Sequence, residues 1–159
     1  MNIVIANRQR TRPVNARRLR LILLALFDEL EIEAGDLGVN LVAAREMTLV
    51  NETFLKHEGS TDVITFDHSE GAAPGRPTVL HGELFVCVDE AIVQARRFNT
   101  RWQPEVVRYI VHGILHLLGH DDLEAGLRRK MKREENRLVR LLAKKFSLAQ
   151  IAGQSKMIP

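Results

Sequence analysis

The chain has one cysteine, Cys87, in 159 residues. No internal disulfide can form, and a structural zinc site built on thiolates is excluded. A single thiol suits a reducing compartment. Long apolar runs are also missing. The longest, Leu21 to Phe27, is far too short to span a bilayer. No apolar signal core precedes a small-residue cleavage site near the N-terminus. The expectation is a soluble, cytoplasmic protein with no membrane contact. Strong net charge is missing too, since a formal +3 attracts anions only weakly. Neither a repeat nor a convincing linker divides the chain. One domain over residues 1–159 is expected, long enough to bury a core.

The basic residues are distributed unevenly. Arg8, Arg10, Arg12, Arg17, Arg18 and Arg20 crowd the N-terminal region, and Arg128, Arg129, Lys130, Lys132, Arg133, Arg137 and Arg140 the C-terminal one. Such runs serve nucleic acid or simply solvate a helix face.

Residues 2–6 are β-branched and predict a first strand. Leu19, Leu23, Leu26, Phe27 and Leu30 recur at helical spacing after Pro13, with Gly35 and Gly38 expected to end that helix. Val39 to Met47 predicts a second strand. Thr48 is expected to cap a short helix that turns Leu49, Val50 and Phe54 inward. Residues 62–66 and 82–88 predict two more strands, separated by a Gly- and Pro-containing loop over 68–80. Asp89 is expected to cap the helix that follows. Pro104 suits the first turn of a central helix with an apolar stripe at Val107, Ile110, Val111, Ile114, Leu115 and Leu118. A last helix is expected over about 123–145, with a loose tail over about 146–159. The implied fold is α/β or α+β: one small mixed sheet of about four strands, packed with about five helices.

The chemistry gathers at residues 112–122, H-G-I-L-H-L-L-G-H-D-D. His112 and His116 share one helical face one turn apart, so both imidazoles can grip one metal ion. Gly119 permits a sharp bend after the helix. Beyond it, His120, Asp121 and Asp122 each offer a third ligand. Asp122 is favoured because the extended pattern H-E-x-x-H-x-x-G-x-x-H returns its third ligand at the same six-residue offset. Three protein ligands leave a fourth position for water, the arrangement of a catalytic zinc. The glutamate that serves metalloproteases as general base is absent, and Gly113 stands in its place. Proteolysis by that route lacks its proton carrier, while the small residue is expected to leave room for a bulky substrate.

This stretch resembles the signature of the YbeY family, bacterial ribosomal RNA maturation factors described as single-strand-specific endoribonucleases. N-E-T-F-L-K-H-E-G-S-T-D-V-I-T-F (51–66) and H-G-E-L-F-V-C-V-D-E-A (81–91) resemble two further family segments in the same order. The resemblance implies an α/β fold, one Zn2+ ion per chain, 16S rRNA 3′-end maturation and a part in ribosome quality control. It implies RNA, the ribosomal small subunit and assembly factors as partners.

Two positions depart from the family pattern. Asp122 stands where a third histidine is usual, so the ligand set becomes His112, His116 and Asp122. Leu55 stands where many members carry an arginine that is proposed to help catalysis. Lys56 or His57 would then supply the charge that contacts phosphate. A rival reading is a ribosome-assembly binding factor whose metal is mainly structural. Two histidines and a carboxylate also describe a non-haem iron site.

Overall fold

The computed structural model describes residues 1–69 and 78–154. Its frame is one four-stranded sheet in the order β1-β2-β4-β3. β1 (Asn2–Asn7), β2 (Ile32–Val42) and β4 (Thr78–Cys87) run parallel, and β3 (Val63–Asp67) pairs antiparallel with β4 at the edge. The parallel strands need crossovers, and α1 (Ala16–Glu29) supplies the first. α2 (Ala44–Val50) continues into a π-helical turn over Asn51–Leu55. α3 (Val88–Arg97), α4 (Trp102–Leu117) and α5 (Ala125–Lys145) follow the sheet. This is the mixed α/β architecture expected, with four strands and five α-helices among the described residues.

Several local expectations differ. α1 does not run to the glycines. It ends at Glu29, and Glu31 makes the left-handed turn (φ 55°). Gly35 and Gly38 lie inside β2, which starts at Ile32 rather than Val39. Gly35 (φ +125°) sits at a point where a Cβ would meet the Leu80 carbonyl oxygen at 1.8 Å. Its role is close strand approach beside the register shift between Ile32 and Ala34. α2 begins at Ala44, so Thr48 is interior. The cap comes from elsewhere: Asp89 Oδ2 accepts the Ala44 N–H at 2.6 Å. Asp89 therefore does not cap its own helix, which begins at Val88. Val50 turns inward, but Leu49 and Phe54 are 65% and 64% exposed. Phe54 instead makes an edge contact with Phe66, and Phe66 with Phe85.

The expected loop over 68–80 is shortened by β4, which begins at Thr78. Residues 70–77, with Gly71, Pro74, Gly75 and Pro77, lie outside the described residues. The expected loose tail is packed over its first part. Leu148 and Ile151 sit buried on a 3-10 turn, and Val14 bridges to Ala152. Two apolar residues three apart are enough to dock one turn, which a short pattern hides. Residues 155–159 lie outside the described residues.

α4 positions the site. Val106, Val107, Ile110, Val111, Ile114 and Leu115 are all buried in the main core. Gly113 is buried as well. A Cβ there would meet Leu84 Cδ2 at 2.8 Å and Thr65 Cγ2 at 3.2 Å. Its small size lets α4 sit close on β3 and β4, so it opens no space for substrate.

Candidate metal centre and adjoining cleft

Beside its core stripe, α4 carries a polar one: Glu105, Arg108, His112 and His116, at steps of three and four residues. His112 and His116 side chains are only partly exposed, at 30% and 27%. Their Nε2 atoms lie 3.1 Å apart.

The chain after α4 turns back through a complete Schellman motif. Gly119 takes φ +96°, its N–H donates to His116 O (3.0 Å), and His120 N–H donates to Leu115 O (3.0 Å). That bend does two things. It puts the His120 backbone carbonyl 3.1 Å from His116 Nδ1. It also brings Asp122 Oδ2 to 3.5 Å from His116 Nε2 and 3.9 Å from His112 Nε2. His120 thus contributes its carbonyl. Asp121 accepts the Leu123 N–H and shapes the turn. His112, His116 and Asp122 are the three that converge, with ligand atoms within 4.8 Å of one another.

The outer partners decide what converges. Glu135 Oε1, from α5, lies 2.7 Å from His112 Nδ1. A carboxylate and a backbone carbonyl only accept hydrogen bonds, so each Nδ1 must be the donor. Both Nε2 lone pairs then point at one spot, and a carboxylate oxygen joins them. Three electron-rich atoms so close demand a positive charge between them: a shared proton or a metal ion. The spacing suits a metal. Zinc–nitrogen bonds of about 2.0–2.1 Å in a tetrahedron separate neighbouring ligand atoms by about 3.3 Å. The separations of 3.1, 3.5 and 3.9 Å straddle that value. The residues present fit a zinc-sized cation.

Glu135 is 3% exposed. Burial alone would raise its carboxyl pKa. Hydrogen bonds from His112, Lys132 and Arg108 outweigh burial and bring it down to about 2. The same hydrogen bond to Glu135 raises His112, against the opposing effect of burial. Oε2 of Glu135 accepts from Arg108 Nη1 (2.6 Å) and Lys132 Nζ (2.9 Å), and Arg108 Nη1 also donates to Asn136 (2.7 Å). One buried carboxylate thus steers the His112 imidazole with one oxygen and two cations with the other.

A cleft of about 610 Å³ opens here, with His112, Asp122, Arg108, Lys132, Arg128 and Asp62 among its walls. Burial holds Glu105, also on a wall, above the usual carboxylate range. Lys56 and His57 are exposed beyond the π-helical turn and are not among these walls. Lys56 has a left-handed backbone (φ 58°). The loop that follows them is braced by Asn51 Nδ2 to Gly59 O (2.9 Å) and Gly59 N–H to Glu52 (3.1 Å), and it leads to Asp62. Sequence reasoning missed Glu135 and Arg108. A signal existed for Glu135: it occupies the buried α5 stripe Met131, Glu135, Leu138, Leu142, where an acid needs a partner.

Known proteins resemble this chain along most of its length. A family described as Endoribonuclease YbeY matches residues 4–143. An endoribonuclease YbeY of Chlorobium phaeovibrioides is 32% identical over 158 residues, covering 97% of this chain and 99% of that one. One from Parabacteroides distasonis is 36% identical over 110 residues, covering 69% and 73%. A solution structure of a Thermotoga maritima protein aligns with TM-score 0.66 and 25% identity over 97% of both chains.

Proposed function

The chain belongs to the YbeY family of endoribonucleases, and from that premise we propose that it hydrolyses single-stranded RNA at the cleft beside His112. The substrate we infer is the 16S rRNA precursor, cut in 3′-end maturation and ribosome quality control, with the small subunit and assembly factors as partners. The chain works as one domain in the cytoplasm. Among the described residues, no helix is long and apolar enough to cross a membrane.

The observation that carries this reading is the convergence of three ligand atoms at a cleft whose walls carry Arg108, Arg128 and Lys132. His112, His116 and Asp122 would hold one zinc ion. Bound there, it would supply a Lewis acid toward a phosphoryl oxygen and a more acidic water. Glu135 and the His120 carbonyl accept hydrogen bonds from the Nδ1–H groups, which fixes the tautomers and leaves Nε2 free for the ion. The basic walls draw the RNA backbone, so affinity falls steeply as salt rises. Unpaired bases reach such a cleft more readily than an A-form duplex does. Lys56 and His57, exposed on the loop leading to Asp62, contact phosphates outside the cleft.

The test is cleavage of a single-stranded RNA and its duplex by nuclease-free protein, with and without chelator, and by His112→Ala. Cleavage of the single strand alone, abolished by chelator and by the substitution, is expected. Unchanged cleavage by His112→Ala contradicts the reading. A large chelator-induced melting shift without any cleavage favours the assembly-factor reading instead.

A further inference from the structure

Arg108 is held by only one of its three guanidinium nitrogens. Nη1 donates to both Glu135 Oε2 (2.6 Å) and Asn136 Oδ1 (2.7 Å). Among the described residues, neither Nε nor Nη2 has a hydrogen-bond acceptor. The side chain is 27% exposed and forms part of the cleft wall. It lies one helical turn before His112 on the same stripe of α4, and the same carboxylate anchors both. A guanidinium fixed at one corner loses little freedom when its open edge binds, and that edge matches two phosphate oxygens.

Charge near Arg108 also favours an anion. Arg108 and Lys132 share the single negative charge of Glu135, so the three groups carry +1 by simple addition. Glu105, one turn before Arg108 on the same stripe of α4, and Asp62 also line this cleft and offset part of that charge. A phosphate drawn to Arg108 and Lys132 would lie next to His112, which the same carboxylate holds.

We propose that Arg108 is a substrate-binding residue of the active site, its free guanidinium edge gripping the phosphate that lies next to the metal centre. The position where the family pattern carries an arginine is Leu55 here, 40% exposed. The positive charge on the cleft comes instead from Arg108 on α4 and from Arg128 and Lys132 on α5. The inference rests on the RNA reading above.

The test uses full-length zinc-loaded protein and a non-cleavable 2′-O-methyl single-stranded RNA. Affinity is measured from low to moderate salt for the parent, Arg108→Lys and Arg108→Gln, alongside zinc uptake and melting temperature. Arg108→Lys keeps the charge and loses the fork. Arg108→Gln loses both. The expected result is an affinity loss of about tenfold or more for Arg108→Gln, with a salt slope shallower by about 0.7. Arg108→Lys should lose affinity with little change of slope. Zinc uptake should stay at the parent level in both.

Parent affinity and slope in both variants would overturn the proposal while leaving the RNA reading intact. So would a loss of RNA binding that merely tracks a loss of zinc, since Arg108 would then only support the site. A parent protein that binds no RNA overturns both readings.

Discussion

Two acids, Asp89 and Glu135, each reach from one helix to serve another element, and they do opposite jobs. Asp89, in the first turn of α3, caps the first N–H of α2. Its work is fold construction, and it is not among the residues that line the cleft. Glu135, from the middle of α5, holds the His112 imidazole and two cations around the candidate site. Both carboxylates are committed to partners distant in sequence, and only one is tied to chemistry. An acid's partner, rather than its burial, tells the two roles apart.

Removing each acid should separate the two roles. The largest effect is expected for Glu135→Ala. It strips a nearly buried carboxylate from Arg108, Lys132 and His112 at once. Breaking such a cluster costs about 3 kcal/mol, the low end for a buried pair because both cations reach water. Losing the imidazole's outer partner should also weaken zinc binding by about 10–100-fold. Urea unfolding and a zinc titration check the two parts. Unchanged zinc affinity would break the contrast.

Gly113→Ala comes next. It adds a methyl against Leu84 beneath the ligand helix, at a cost of about 1–3 kcal/mol by overpacking. Stability should fall, and any loss of zinc affinity should be small beside that of Glu135→Ala. Asp89→Ala should cost about 1 kcal/mol, as a lost helix cap does, with zinc affinity at the parent level. A zinc defect in Asp89→Ala would mean that the two acids are not separable.

The smallest effect is expected at Arg137, which bridges Glu29 on α1 and Glu134 on α5 at 2.7 and 2.6 Å. The pairs are exposed. Arg137→Ala should cost well under about 1 kcal/mol and leave zinc binding alone.

Acid should expose Glu135 in a further way. Its folded pKa of about 2 lies below the ordinary glutamate value of 4.5. A depressed carboxyl stabilises the fold above its unfolded pKa. That contribution fades as pH falls from about 4.5 toward 2. Glu135→Gln should therefore flatten the stability–pH curve in that window, as read by urea unfolding.

Much of this was legible in the residues. The i, i+4 histidines, the glycine bend and the six-residue offset to Asp122 are local features, and local geometry set by helix period and turn type is readable from one segment. The apolar stripe of α4 was readable for the same reason. The stripe of α5 hinted that Glu135 needs a partner, but which one was not legible, because His112 is 23 residues away. Glu135 sits among so many charges that α5 looks like a solvated helix. The cap on α2 was misplaced because Thr48 is a plausible local acceptor, while Asp89 acts from 45 residues away.

The two basic runs looked alike in sequence and differ in space. Arg8 and Arg20 are spent on Glu46 and the Ile3 carbonyl, whereas Arg128 and Lys132 face the cleft. Which run meets a substrate depends on tertiary placement.

The most direct test is calorimetric titration of zinc into metal-free protein, comparing the parent with Asp122→Ala. One ion per chain should bind tightly to the parent, and affinity should fall sharply in the variant, because two neutral imidazoles alone lack the anionic third ligand. Equal stoichiometry and affinity in Asp122→Ala would contradict the assignment of this carboxylate to the metal centre.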